Sequence, residues 1–455
     1  STVSLEMIWV EPGTFTMGSL ESEAGRQTNE TEHNVTLTQG FYLGKYEVTQ
    51  AQYEAVMKGV TGDRNATPSN WHGYFHRPVE MVSWDDIQVF IERLNDQKSD
   101  SLPMGWAYAL PTEAEWEYAC RAGTTTPYSW GVAITNGDAN YQDSGYAEPV
   151  DVGQYDANPW GFFDMHGNVF ERVRDYYVAD LGSAAVTDPK GANSGSRAIK
   201  GGSWYRTGDR SRSAYRSANS PDLRSDNVGF RLAYKKIPHV VELNSTVSLE
   251  MIWVEPGTFT MGQVGIAEPE HNVTLTQGFY LGKYEVTQAQ YEAVMTGNTD
   301  GLNATPSNWP NNPDRPVEKV SHDDIQKFLT RLNSLQAGNI PEGWAYVLPT
   351  EAQWEYACRA GTTTAYSWGD SITTSNANYS DSGYSQTRDV GLYSANPWGF
   401  FDMHGFTVLS SAMLLYSFKQ VFVVHRTAVL ELNLARFDQF LAGHCARHPC
   451  GGTQR

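Results

Sequence analysis

Residues Ser1–Gly18 (STVSLEMIWVEPGTFTMG) recur letter for letter at Ser245–Gly262, and His33–Met57 recurs unchanged at His271–Met295. No other feature constrains the chain as strongly, because repetition on that scale means two copies of one folding unit rather than one large domain. Beyond an insertion in the polar stretch after Gly18, which marks a surface loop, the copies stay in register as far as Gly167 and Gly405. The expected organisation is a complete unit over residues 1–238, a second, incomplete copy over 245–405 and an unmatched tail over 406–455. Lys235–Asn244 (KKIPHVVELN) reads as a short join. After Gly405 the pattern breaks: Asn168-Val169-Phe170-Glu171 in the first copy faces Phe406-Thr407-Val408-Leu409 in the second. A reading-frame slip or an appended segment both account for the break, and either leaves the second copy without its final third.

Within a copy, capping boxes announce helices. Thr49 with Gln52 opens one running to Met57; Ser83 with Asp86 opens one with Ile87, Phe90, Ile91 and Leu94 on a single face; Thr112 with Glu115 opens one that Gly123 stops. Short β-type runs (Met7–Val10, Thr14–Met17, His33–Leu37 and Phe230–Tyr234) are separated by long turn-rich segments, which points to an α+β fold with much irregular surface.

Charge excludes one class of partner. With 33 Lys+Arg against 52 Asp+Glu, the formal charge of -19 would repel a phosphate backbone. Four cysteines are too few for a disulfide scaffold. The most apolar long stretch, Phe406–Val424, is interrupted by Ser410, Lys419 and Gln420, so no membrane span is expected. The start at Ser1 leaves open whether a signal segment has been removed or the chain is a fragment.

In the first copy the strings MIWVEPGTFTMGS, FYLGKYEVTQAQYEAVM, RPVEMVSWDD, LPTEAEWEYACRAG, DMHGNV, GGSW and NVGFRL follow one another between Met7 and Leu232. This ordered set resembles the sulfatase-modifying-factor family, whose best-known members are formylglycine-generating enzymes. The resemblance implies an irregular C-type-lectin-like fold, here in tandem, an extracytoplasmic location (periplasmic or secreted) and calcium ions holding the loops.

It also implies an oxidase that converts a sulfatase cysteine to formylglycine, with two cysteines binding copper in the segment after GGS. A thiolate pair suits the soft ion Cu(I). That segment here runs Gly201-Gly202-Ser203-Trp204-Tyr205-Arg206 and on through Arg210, Arg212 and Arg216, and no cysteine lies between Cys120 and Cys358. Copper oxidase chemistry is therefore not expected. Cys120, four residues after Trp116 on a helix, reads as buried; the resemblance places its partner cysteine in some relatives just after GFR, where this chain has Leu232, and so implies a free thiol.

Calcium fits the residues better. Asp164 and Glu171 flank a glycine turn of the kind that offers hard oxygen ligands; the resemblance assigns one site to the Asp164 and Glu171 side chains with the Gly167 and Val169 carbonyls. By looser carry-over, Asn140, Tyr141, Asp143 and Gly145 form a second. On the family fold, Ser203, Trp204, Arg206, Arg210 and Arg216 line a substrate groove, and a cationic groove on an acidic protein suits an anionic or carboxylate-bearing ligand; structural ion pairs are the competing reading of the same arginines. His33 and His166 lack an accompanying nucleophile motif such as G-x-S-x-G, and the spacing in His444–Cys450 fits no standard zinc site. Together these expectations describe a calcium-stabilised module that binds a peptide, carbohydrate or protein ligand. The alternative is an oxidative enzyme on the same scaffold.

Overall fold

The computed structural model describes residues 3–262, 270–341 and 343–405, with the backbone of 422–425. The His444–Cys450 cluster, Leu409 and most of the Phe406–Val424 run lie outside the described residues. The chain divides into two units, Ser1–Lys236 and Ile237–Arg455.

In the first unit, β1 (Met7–Val10), β4 (Phe41–Gly44), β11 (Ala233–Lys236) and β5 (Trp106–Ala109) form one sheet in the order β1-β4-β11-β5, with all neighbours antiparallel. A second sheet consists of β10 (Val228–Gly229), β6 (Phe170–Tyr176), β8 (Arg197–Lys200) and β9 (Ser217–Asn219), with Glu171 on β6. The third joins β2 (Gly13–Met17), β3 (His33–Leu37) and β7 (Val186–Thr187).

Helices α1 (Gln50–Met57), α2 (Trp84–Lys98) and α3 (Glu113–Arg121) each begin at the anticipated reciprocal capping box. The side chains of Thr49, Ser83 and Thr112 satisfy the third backbone N–H of the helix, and Gln52, Asp86 and Glu115 return the bond. The face Ile87, Phe90, Ile91 and Leu94 of α2 is buried against Tyr53, Met57 and Phe230. Helix α3 ends at Arg121, two residues before Gly123, with Ala122 taking the left-handed conformation at φ 47°.

The strand expected over Phe230–Tyr234 begins instead at Ala233. The carbonyls of Phe230 and Leu232 accept from the N–H groups of Val48 and Gly44. Between them, the Arg231 side chain turns inward to Glu171, so core filling and ion pairing occupy these residues before the ladder starts.

The second unit contains β12 (His239–Glu242), β13 (Ser248–Val254), β14 (Gly257–Met261), β15 (His271–Leu275), β16 (Phe279–Gly282), α4 (Gln288–Met295), α5 (His322–Leu335), β17 (Trp344–Val347), α6 (Glu351–Arg359) and β18 (Phe422–His425). Its main sheet runs β12-β13-β16-β18-β17. Strand β18, from the unmatched tail, stands between β16 and β17 as β11 stands between β4 and β5. The segment that reads as a join is thus part of the sheet system: Lys235 and Lys236 close β11, and His239–Glu242 forms β12.

Candidate functional site

The turn between Phe163 and β6 gathers the anticipated calcium residues. Asp164 and Asn168 take positive φ, 57° and 60°, and Gly167 stands at 105°. A Cβ on Gly167 would come within 2.4 Å of the Asn140 carbonyl oxygen, so only glycine lets the two loops meet. They are joined by the Asn168 N–H, which donates to that carbonyl at 2.7 Å.

Asp164 is buried, with Oδ2 accepting from the Gly153 N–H at 2.7 Å. Its Oδ1 is buried without a partner, the one such side-chain oxygen in the turn. Burial pushes its pKa up to about 6, against the Gly153 hydrogen bond and Arg231.

Glu171 departs from the sequence-based assignment. Its Oε2 accepts from Arg231 Nε at 2.6 Å and from Trp116 Nε1 at 2.7 Å, and its Oε1 from Arg231 Nη2 at 2.7 Å. Both side chains of the pair are fully buried. Glu171 is therefore neutralised by an internal guanidinium rather than held open for a metal. Glu47 adds a third buried carboxylate, receiving the Val169 N–H at 3.1 Å and Asn168 Nδ2 at 2.6 Å. Burial, then Asp164 and Glu171, hold its pKa well above the usual carboxylate range.

In the adjoining loop, Asn140 turns its side-chain oxygen to the Ser144 hydroxyl at 2.8 Å and its Nδ2 to the Glu148 carbonyl at 2.9 Å. The Tyr141 hydroxyl reaches Asn136, and Asp143 and Gly145 sit on an exposed 3₁₀ turn. Among the described residues no three His, Cys, Asp or Glu side chains are arranged to hold a metal ion. A small cleft of about 10 Å³, lined in part by Trp130, Tyr155, Asp164 and His166, opens beside the turn, and a counterpart in the second unit includes Trp368, Tyr393, Asp402 and His404.

Cys120 is a buried free thiol, and Cys358 is buried. Burial pushes Cys120 up to about 12 despite its Ser213 contact, so without a metal it stays a protonated thiol rather than a nucleophilic thiolate. His166 Nε2 accepts from the Ser129 N–H at 3.2 Å, which places the ring proton on Nδ1, 2.7 Å from the Ser211 carbonyl. Burial drives His166 down to about 4. The ring is thus a neutral structural acceptor.

The anticipated groove is only partly assembled. Ser203 is buried and accepts from Asn227 Nδ2 at 3.1 Å. Trp204 packs edge-on against Trp71 and Tyr205; Tyr205 is 58% exposed and Arg206 lies over its ring. Arg210 is part-exposed and bonds the Tyr215 hydroxyl. Arg216 does not join them: it is buried in a bidentate pair with Glu113, both bonds 2.7 Å, and Arg212 is likewise buried between Glu23 and Glu30. For these two arginines the ion-pair reading holds. Nothing in the local pattern points to Glu80, fully buried with Oε2 unpartnered; the only signal is a carboxylate inside an apolar run, repeated as Glu318.

With this geometry in place, the relatives can be compared. The family model for the sulfatase-modifying factor enzyme 1-like domain matches residues 2–236 and again 239–408. The chain belongs to that family, and its fold is the α+β, C-type-lectin-like one of formylglycine-generating enzymes. It is 26% identical over 296 residues to the formylglycine-generating enzyme of Mus musculus, covering 51% of this chain and 76% of that protein. It is 30% identical over 250 residues to the chaperone protein LppX of Paenibacillus barcinonensis, covering 45% and 80%. Against the serine/threonine-protein kinase pkn1 of Chlamydia pneumoniae it is 28% identical, but spans only 38% of that protein and 50% of itself.

Proposed function

We propose that the first unit is an extracytoplasmic binding module that engages an anionic or carboxylate-bearing ligand (peptide, carbohydrate or protein) across Trp204, Tyr205, Arg206 and Arg210, without copper oxidase chemistry. The observation that carries this reading is the segment after Gly202. It presents two accessible guanidinium groups, one of them over the exposed Tyr205 ring and next to the largely buried Trp204, but no thiol. Arginine beside aromatics recognises carboxylates in a directed way. The donors present do not fit Cu(I), because the described cysteines are buried singly. A relative named as a chaperone, LppX, supports protein binding on this scaffold. Among the described residues no helix is long and apolar enough to cross a membrane.

Calcium belongs to the same proposal in reduced form. Asp164, with its unpartnered oxygen, is the residue that would hold the ion; Glu171 would not. Bound calcium would stabilise the turn by mass action, so excess chelator should lower the melting temperature.

The deciding experiment supplies the chain with copper, oxygen and a peptide bearing the sulfatase cysteine motif and follows the product by mass spectrometry. A family enzyme runs alongside as control. No aldehyde is expected, and its formation would overturn the reading. A binding screen with anionic peptides and glycans then uses the Arg206→Ala/Arg210→Ala variant, in which binding should fall about tenfold or more.

A further inference from the structure

One surface loop differs between the copies while its anchors stay the same. Ala66–Trp71 (ATPSNW) recurs at Ala304–Trp309 and Arg77–Glu80 (RPVE) at Arg315–Glu318, but the residues between them are His72-Gly73-Tyr74-Phe75-His76 in the first unit and Pro310-Asn311-Asn312-Pro313-Asp314 in the second. The backbone is held alike in both. Gln50 Nε2 donates to the Trp71 carbonyl at 3.1 Å, as Gln288 Nε2 does to that of Trp309 at 3.1 Å. The Ala51 N–H reaches the Phe75 carbonyl at 3.2 Å and the Val152 N–H that of His76 at 3.0 Å; their counterparts, Ala289 and Val390, reach Pro313 at 3.1 Å and Asp314 at 2.9 Å. Gly73 and Asn311 both take positive φ, 89° and 64°. The scaffold builds this loop with or without an aromatic pair.

What the first unit gains is surface. Tyr74 and Phe75 are 52% and 56% exposed, so much of each ring is left in water, where it adds nothing to the core. In the second unit Asn312 turns back on its own loop and donates to the Trp309 and Pro310 carbonyls. Tyr74, at the same position, instead lays its ring 3.9 Å from the Arg77 guanidinium, which Glu148 fixes at 3.0 Å. The exposed ring is thus already placed, and a ligand meeting it loses little side-chain entropy.

The loop borders the groove of the proposed function. Trp71, at its start, packs edge-on against Trp204 at 5.3 Å. The segment 142–148 ties the two sides together, because the Gln142 N–H donates to the Arg206 carbonyl at 2.9 Å and Glu148 holds Arg77. It also contributes Tyr146, which is 56% exposed. Across from it stands the exposed Tyr205 beneath Arg206, and among the described residues no carboxylate pairs with Arg206. Where the second copy has Asp314 the first has His76, so the loop loses a negative charge as it gains rings. Exposed aromatics on adjoining loops around one open guanidinium have the composition of a protein-recognition surface, and their charge complements a carboxylate.

We propose that His72–His76 is a recognition loop, particular to the first unit, through which the groove takes an acidic peptide: a large apolar side chain of the peptide seats against Tyr74 and Phe75, and a neighbouring carboxylate pairs with Arg206. The inference rests on the groove reading above and narrows its ligand from any anion to a peptide that carries both features.

The test probes the full chain with an array of short synthetic peptides that pair Asp or Glu with Phe, Leu or Trp, each beside versions with the acid changed to its amide or the apolar residue changed to Ser. A loop variant (His72→Pro, Gly73→Asn, Tyr74→Asn, Phe75→Pro and His76→Asp) gives the first unit the sequence that the second copy already folds. Peptides with both features should bind the parent at roughly 100 μM or below, and the loop variant about tenfold or more weakly, with a melting temperature within about 2 °C of the parent. A larger drop would mean that the loop serves the fold, and overturns the proposal. If the loop variant binds as the parent does while Arg206→Ala/Arg210→Ala does not, the loop proposal falls and the groove stands. Equal binding of the amide or Ser versions, or no binding by any peptide, also overturns it. Uronate oligosaccharides are run in parallel: their capture in place of peptides, lost in Arg206→Ala/Arg210→Ala, would leave the groove reading alone standing.

Discussion

Replacing Arg231 with Met tests the central electrostatic claim about the first unit. The guanidinium is fully buried, makes two bonds to Glu171 at 2.6 and 2.7 Å and also donates to the carbonyls of Gly44 and Phe163 at 3.1 and 3.0 Å. Methionine keeps most of the side-chain volume but leaves Glu171 buried without a cation, beside Glu47 and Asp164. Breaking a buried pair from one side costs about 3–5 kcal/mol. For a unit of this size that lowers its melting temperature by roughly 6–20 °C, readable by calorimetry of the full chain.

The pH dependence gives the sign. An acid whose folded pKa lies above its unfolded value contributes most below the unfolded pKa, and the contribution disappears as pH rises through the folded one. Arg231 opposes the upward shifts of Glu47 and Asp164, so its loss raises them further. The deficit should therefore be larger near about pH 8 than near about pH 5. Glu171→Gln, which keeps an acceptor for Trp116 Nε1, should recover at least half of it in the Arg231→Met background. A loss below about 1 kcal/mol, or one independent of pH, would refute the reasoning.

The other arginines divide by the same logic. Arg216→Ala strands Glu113 and should cost about 3–5 kcal/mol in urea unfolding, whereas Arg206→Ala, at an exposed position, should change stability by no more than about 0.5 kcal/mol. Glu80 is raised to about 7 by burial, against hydrogen bonds from the backbone of Asn70 and Trp71. Its protonated form thus favours the fold below the ordinary carboxylate range, and that contribution is lost as pH rises through about 7. Glu80→Gln should accordingly stabilise the unit relative to the parent by on the order of 1 kcal/mol at about pH 8, and less at about pH 5.

What was legible in the sequence is what short-range chemistry decides. A capping box needs two side chains three residues apart, and all three anticipated in the first unit form. The apolar face of α2 follows from helical spacing, and the burial of Cys120 from its place behind Trp116 on α3. Partnerships between distant residues were not legible. Arg216 meets Glu113 across 103 residues and Arg231 meets Glu171 across 60, and no local signal distinguishes an arginine bound for such a pair from one left in a groove. Asp164 was visible as a carboxylate at a glycine turn, but Glu171, two residues past Val169, looks equally open until Arg231 is brought to it. The join reads as a linker because its Pro238 and charged residues mask a four-residue strand, whose pairing is decided by the edge it meets.

The distribution of buried charge shows why the first unit depends on its final third. Acids Glu30, Glu47, Glu113 and Glu117 come from the first half of the unit, whereas Lys200, Arg212, Arg216 and Arg231 come from its end. Glu117 joins Arg121 and Lys200, 2.8 and 2.9 Å away, all nearly inaccessible. In the second unit, among the described residues, Glu355 pairs with the Arg121 counterpart, Arg359, with side chains 13–18% exposed; the stretch of the first unit that carries Lys200 has no sequence match in the second. A fragment ending at Gly167 would lose four buried cations and the strand β11 between β4 and β5 while keeping Glu30, Glu113 and Glu117, the acids paired with Arg212, Arg216 and Lys200; Glu171 leaves together with Arg231. Each stranded carboxylate costs several kcal/mol, and their sum exceeds the roughly 5–15 kcal/mol that stabilises a typical domain. Residues 1–167 expressed alone should therefore show no cooperative thermal transition near neutral pH, where residues 1–238 do. A cooperative transition in the short fragment would mean that the acids escape to solvent without loss of the core, and that the cations of the final third are dispensable to folding.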